Sequence, residues 1–166
     1  MRHWYAAYCK PRQDARAEIH LLNQRFDVFR PLVRVRRFRR GKPCQVKESM
    51  FPRYLFIQLD DLDENWGPIR STRGISGLVH WGDHVPVVPD RVIQRLYGDL
   101  AEDGCVDLAG TDDYKLNERI RITAGPFAGY EALYQARSSE ERVIVLLEIM
   151  QRDQRLVLPG DSIARA

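Results

Sequence analysis

Cysteine is scarce in this chain: Cys9, Cys44 and Cys105 are scattered and odd in number. They make no metal pattern and suit a reducing, cytoplasmic setting. Apolar runs are far too short to cross a bilayer, and no membrane role is expected. MRHWYAAYCKPRQ has no apolar h-region, so no secretion signal is expected either. Catalytic sets are missing as well. There is no nucleophile elbow with its histidine and acid, no P-loop, no GxGxxG and no acidic metal cluster, which points away from an enzyme. His80 and His84 stand four apart, but HWGDH contains Gly82 and reads as a strand running into a turn. No metal and no cofactor are expected. The acids of Asp60–Glu64 read as a solvated turn.

The 166 residues suffice for one domain or two small ones, and 44% hydrophobic content supports a packed core. The net charge of +3 hides a split. Residues 1–53 hold 14 Lys and Arg against 4 Asp and Glu, a net +10, and residues 54–166 hold 12 against 19, a net −7. Such a division suggests a basic surface for nucleic acid, with an acidic remainder that solvates or shields it.

Along the chain, HWYAAYCK alternates as a strand. Pro11 opens a helix to about Arg25, with Ala15, Ile19, Leu22 and Phe26 inward. DVFRPLVRV is a second strand, Pro31 marking an edge or bulge. RVRRFRRGKP is a basic hairpin tip turning at Gly41. MFPRYLFIQLD is the strongest strand, with Tyr54, Phe56 and Gln58 on one face and Leu55, Ile57 and Leu59 on the other. A short helix spans Trp66–Ser71, a strand GISGLVHWG, and a helix Pro89–Leu100 with Val92, Ile93, Leu96 and Leu100 inward. This is an α+β pattern of about a hundred residues. Gly98–Tyr114 reads as a linker, before a unit of roughly fifty residues that is too small to be very stable alone. SSEERVIVLLEIMQRDQR, Ser138–Arg155, is ambiguous. Val143, Ile144 and Val145 favour a strand, while Val143, Leu146, Leu147 and Met150 form a helical stripe.

Lys10, Arg12, Gln13, Arg16 and His20 cluster at and along the first helix. A solvated basic face explains them equally well. The loop Thr72, Arg73, Gly74 adds a hydroxyl, a guanidinium and close backbone approach, suited to phosphates and base edges. Together the two make a polar plate for single-stranded nucleic acid, with His20 or Tyr8 available to stack on a base. The six cations Arg34, Arg36, Arg37, Arg39, Arg40 and Lys42 are a strong electrostatic footprint and a weak sequence reader; the plain alternative is a mobile, solvated tip. Tyr8, Tyr54, Phe56, Ile93, Leu96 and Tyr97 would form an apolar patch that needs a partner, and the second unit is one candidate.

WYAAYCKPRQ, FPRYLFIQL and STRGISGLVHWG, in this order and spacing, resemble the N-terminal domain of the NusG family of transcription elongation factors, and ERIRITAGPFAGYEALY resembles its KOW motif. Lys10, Gln13, Arg16, His20, Thr72 and Arg73 in register make the likeness strongest to the specialised RfaH-like antiterminators. The resemblance implies an NGN antiparallel sheet flanked by helices (1–99), a linker (100–114) and a KOW domain (115–166) that is an α-helical hairpin when closed or a five-stranded β-barrel when open. The closed hairpin is the expected state of the free chain. It implies that Tyr8, Phe51, Tyr54, Phe56, Ile93, Leu96 and Tyr97 bind the β′ clamp helices of RNA polymerase. Lys10, Arg12, Gln13, Arg16, His20, Arg70, Thr72, Arg73 and Gly74 would read the non-template DNA strand. The C-terminal domain would recruit the ribosomal protein NusE, and the chain would act as a monomer that suppresses pausing and termination. Glu48 and Arg142 match a latch pair between the domains. Asn65, Trp66 and Gly67 replace the family's His-Thr-Thr loop, so the contact to the polymerase β gate loop is lost or made differently by Trp66; Arg70 replaces a smaller polar residue. Alternatives are a general NusG-like factor with a permanent barrel, which LVLPGDSI would suit as a last strand, and a KOW protein binding RNA or ribosomes.

Overall fold

The structure, a computed structural model, describes residues 1–61, 66–107, 133, 136 and 138–157, with side chains in the last segment described as far as residue 151. The KOW-like stretch and LVLPGDSI lie almost wholly outside these residues. Among the described residues no helix is long and apolar enough to cross a membrane.

The elements run β1 (Arg2–Cys9), α1 (Asp14–Asn23), β2 (Asp27–Phe29), β3 (Leu32–Arg39), β4 (Lys42–Ser49), β5 (Tyr54–Asp60), α2 (Gly67–Arg70), β6 (Ile75–Leu78), β7 (Val87–Val88), α3 (Asp90–Gly98) and α4 (Ser139–Val157). The main sheet has the order β2-β5-β1-β6, with β7 also pairing β1, and every pairing is antiparallel. β3 and β4 form a separate two-stranded ribbon. Pro31 splits the expected second strand into β2 and β3, because it cannot donate to a ladder.

Alternation along β1 and β5 divides the core in two. Tyr5, Ala7, Cys9, Leu55, Ile57 and Leu59 face α1, burying Ala17 and Leu21. Ala6 and Phe56 face the other way, with Val92, Ile93 and Leu96 of α3. Leu100, expected inward, is half-buried at the rim. Burial raises the Cys9 thiol to about 12, so it stays protonated.

α1 corrects two expectations. It begins at Asp14 rather than Pro11 because Arg12 adopts φ 62°, and Arg25, at φ 67°, closes it. The stripe Ala15, Ile19, Leu22 faces solvent, with Ile19 56% exposed. The row Gln13–Ala17–Leu21 faces inward instead, because small Ala17 admits the loop at Gly74.

The expected linker is pinned at its start. Val106 N–H donates to Leu32 O at 2.7 Å, and Arg34 grips Asp103 with two hydrogen bonds of 2.6 and 2.7 Å. Lys47 Nζ donates to Asp103 O at 2.9 Å. The Arg34 hydrogen bonds, then that from Cys105 N–H, hold the Asp103 carboxyl down at about 2.

The ambiguous stretch is helical. Ser138 caps α4, its Oγ accepting the Glu141 N–H at 3.1 Å, and Glu141 stands three residues on as a capping box prefers. Capping alone does not decide between helix and strand; burial does. Leu146, Ile149 and Met150 lie in one apolar cluster with Phe51, Phe56, Val92, Ile93 and Leu96, and Val143 and Leu147 pack on its edge. Each fully buried side chain contributes roughly 1.5–3 kcal/mol. Of a second arm of the expected α-hairpin only Leu133 is among the described residues, helical and buried in the same cluster.

Candidate functional site

The apolar patch forms as expected, but covered. Phe51, Phe56, Ile93 and Leu96 are buried in the cluster that α4 completes. Tyr8 and Tyr54 are half-buried with ring centroids 5.1 Å apart. Tyr97 stays 46% exposed, its ring stacked on Phe29 at 4.1 Å.

The polar plate also assembles. α1 and the 71–74 loop touch: Lys10 N–H donates to Gly74 O at 2.8 Å. A Cβ on Gly74 would meet Ala17 N and Gln13 O at 3.0 Å, so only glycine fits. Lys10, Arg16, Arg70 and Arg73 are exposed, and Gln13 and His20 are half-buried. Arg12 is exposed on the turn before α1 rather than on the helix. Thr72 departs from the expected role. Its side chain is buried, Oγ1 donating to Pro68 O at 2.8 Å while accepting from Gln24 Nε2 at 2.8 Å. It therefore shapes the loop instead of offering a hydroxyl.

Two residues that the sequence reading passed over hold these surfaces together. Gln24 ties α1 to the loop, Nε2 also donating to His20 O at 3.1 Å. Arg53, at φ 73°, donates its backbone N–H to Asp14 Oδ2 at 2.7 Å and its Nε to Cys9 O at 3.1 Å. Its guanidinium sits 4.3 Å from the Tyr8 ring centroid, a cation–π contact that caps this face of Tyr8. Trp66 is turned inward, edge-on to Tyr5 at 4.8 Å, with Nε1 donating to Asp60 O. It is not presented as a replacement for the missing loop contact.

The expected latch is not a direct ion pair. Glu48 is held by Arg37 through two bonds of 2.9 and 2.8 Å, which lower its carboxyl pKa. Arg142, 7% exposed, donates Nε to Met50 O at 2.9 Å. Burial pushes its guanidinium below the usual value, opposed by the charges of Glu141 and then Glu48. Arg37 is nearer to Glu48 along the ribbon and takes the carboxylate first. Glu48→Gln therefore shifts α4 docking by less than about 1 kcal/mol. Amide exchange along α4 checks this; a tenfold acceleration would reinstate the direct latch.

Residues 2–97 match the family model for NusG, described as transcription termination factor nusG. The chain belongs to the NusG family. A transcription termination/antitermination protein NusG from Deinococcus radiodurans is 28% identical, the match covering 98% of each chain. The Thermus thermophilus protein of that name is 29% identical, also over 98% of each. The Streptomyces griseus one is 24% identical, over 98% of this chain and 62% of its own. A solved structure described as "Domain interaction in Thermotoga maritima NusG" overlaps with a TM-score of 0.39 at 21% identity, covering 69% of this chain and 61% of that one, too loosely to carry weight. The family model ends inside α3, whereas the matches to the Deinococcus and Thermus proteins run on through the segment that forms α4.

Proposed function

We propose that this NusG-family chain is a non-enzymatic, RfaH-like antitermination factor that is autoinhibited when free. The observation that carries the reading is the burial of Leu146, Ile149 and Met150 against Phe51, Phe56, Ile93 and Leu96. A docked helix occupies the surface that, by resemblance, serves the β′ clamp helices. In this reading Lys10, Gln13, Arg16, His20 and Arg73 engage the exposed non-template strand, with Arg12 and Arg70 flanking and Thr72 and Gly74 shaping the loop. DNA capture then favours release of α4, and the freed C-terminal domain (115–166, beyond the 100–114 linker) binds NusE. The two packings need differ by only a few kcal/mol.

Single-round transcription through a terminator tests this, using polymerase complexes that differ only in non-template sequence. Readthrough that appears with one element and vanishes on scrambling it supports the specialised reading. Equal readthrough on every template makes the chain a general factor. No association with the complex removes the polymerase role.

A further inference from the structure

The ribbon β3–β4 stands outside both surfaces described so far. From Leu32 to Ser49 it holds seven cations and one acid. Three of the seven are satisfied inside the protein: Arg34 and Lys47 by Asp103, and Arg37 by Glu48. Arg36, Arg39, Arg40 and Lys42 have no ion-pair partner among the described residues, and all four are exposed. They cluster at the free end, where Phe38 is 74% exposed beside its cross-strand neighbour Pro43.

The register places these charges on both faces. Residues directly opposite one another share a face. Arg36 lies with Gln45, and Phe38 with Pro43, on one face. Arg39 and Lys42 pair on the other, beyond Arg37 and Cys44, and Arg40 sits in the turn. Residues 36–39 extend roughly 13 Å at the usual rise of about 3.3 Å per residue. That exceeds the ~8.5 Å depth of the B-DNA major groove, whose ~12 Å width admits a two-stranded ribbon. A single strand would be tracked along one face. A groove presents phosphates to both faces at once, and its floor offers thymine methyls to an apolar tip.

We infer that the free end of the ribbon is a second nucleic-acid site, which enters the major groove of duplex DNA and contacts its two phosphate walls through Arg36, Arg39, Arg40 and Lys42. The site reads little sequence. Docking of residues 100–107 on β3 braces its base, where Asp103 neutralises Arg34 and Glu48 neutralises Arg37, so that unpaired charge is concentrated at the tip. The inference does not depend on a polymerase role.

The full chain and the variant R36A/R39A/R40A/K42A are titrated by fluorescence anisotropy against a blunt DNA duplex of about two helical turns, and against an unpaired strand of the same length, from about 50 to about 200 mM salt. Four phosphate contacts give a slope of about −3.6 in log K against log salt, so the native chain loses about a hundredfold or more in duplex affinity over that range. The variant's duplex slope is expected to be shallower by 3 to 4, at about 0.9 per lost contact, with its single-strand slope changed by less than about 1. These side chains are exposed and without ion pairs, so the fold should survive, and an unchanged thermal midpoint verifies it. R16A/R73A should do the reverse, weakening the unpaired strand and sparing the duplex slope. An unchanged duplex slope in the quadruple variant overturns the inference, as does an equal loss on the unpaired strand.

Discussion

Leu146→Asp releases α4 from the sheet and bares the apolar patch. Leu146 is fully buried, and its removal alone costs about 2–5 kcal/mol at a core site. The carboxylate that replaces it must leave the cluster to stay hydrated. A loss above about 3 kcal/mol tips the docked-to-undocked ratio more than a hundredfold, at tenfold per 1.4 kcal/mol. The core on the other side of the sheet, around Leu21, Leu55 and Ile57, does not touch α4, so the N-terminal domain stays folded. Hydrogen exchange should accelerate at residues 143–150 and at Ile93–Tyr97, while β1 and β5 keep their protection. If the proposed function holds, affinity for the polymerase clamp helices rises with it. Ile144→Asp, on the same helix but 56% exposed, should do almost nothing. Equal protection in both variants would show that α4 is held by something other than this cluster.

Gly74→Ala is expected to break the polar plate. Gly74 has φ +91°, a conformation that costs a residue with a Cβ about 1–3 kcal/mol. The new Cβ also meets Ala17 N and Gln13 O at 3.0 Å and Ala17 Cβ at 3.1 Å, rigid atoms with no side chain to swing away. Loop and helix must separate, for a combined loss of about 2–4 kcal/mol. The loop that carries Arg73 then moves away from α1, and if the proposed function holds, single-stranded DNA affinity falls by tenfold or more. Gly41→Ala isolates the conformational part, since φ is +75° but nothing lies within 4 Å. Gly77→Ala has neither problem and serves as the control. Thermal unfolding and a single-strand titration rank the three; Gly74→Ala indistinguishable from Gly77→Ala would mean that the contact at α1 is not needed.

Much of this was legible from local pattern, where the period of the apolar residues sorts them to a face. β5 sends Leu55, Ile57 and Leu59 to one cluster and Phe56 to the other, as its alternation predicts, and α3 buries Val92, Ile93 and Leu96 as its spacing predicts. The inward face of α1 is not legible, because the helix carries two apolar rows, Ala15–Ile19–Leu22 and Ala17–Leu21, and only the approach of Gly74 selects between them. β7, two residues long, has no period to detect. The capture of Glu48 by Arg37, and the part played by Arg53, depend on cross-strand geometry and a positive φ that no spacing rule supplies. For Ser138–Arg155 the sequence encodes both periods, and a contact distant in the chain selects the helix.

The three thiols differ in one practical respect. Cys9 and Cys105 are buried, and burial raises the pKa of each. Cys44 is partly exposed and lies across the ribbon from Arg37. A maleimide dye offered to the folded protein should therefore attach at one place without any engineering. That place is beside the ribbon's free end, where the dye's lifetime and quenching would follow its surroundings directly.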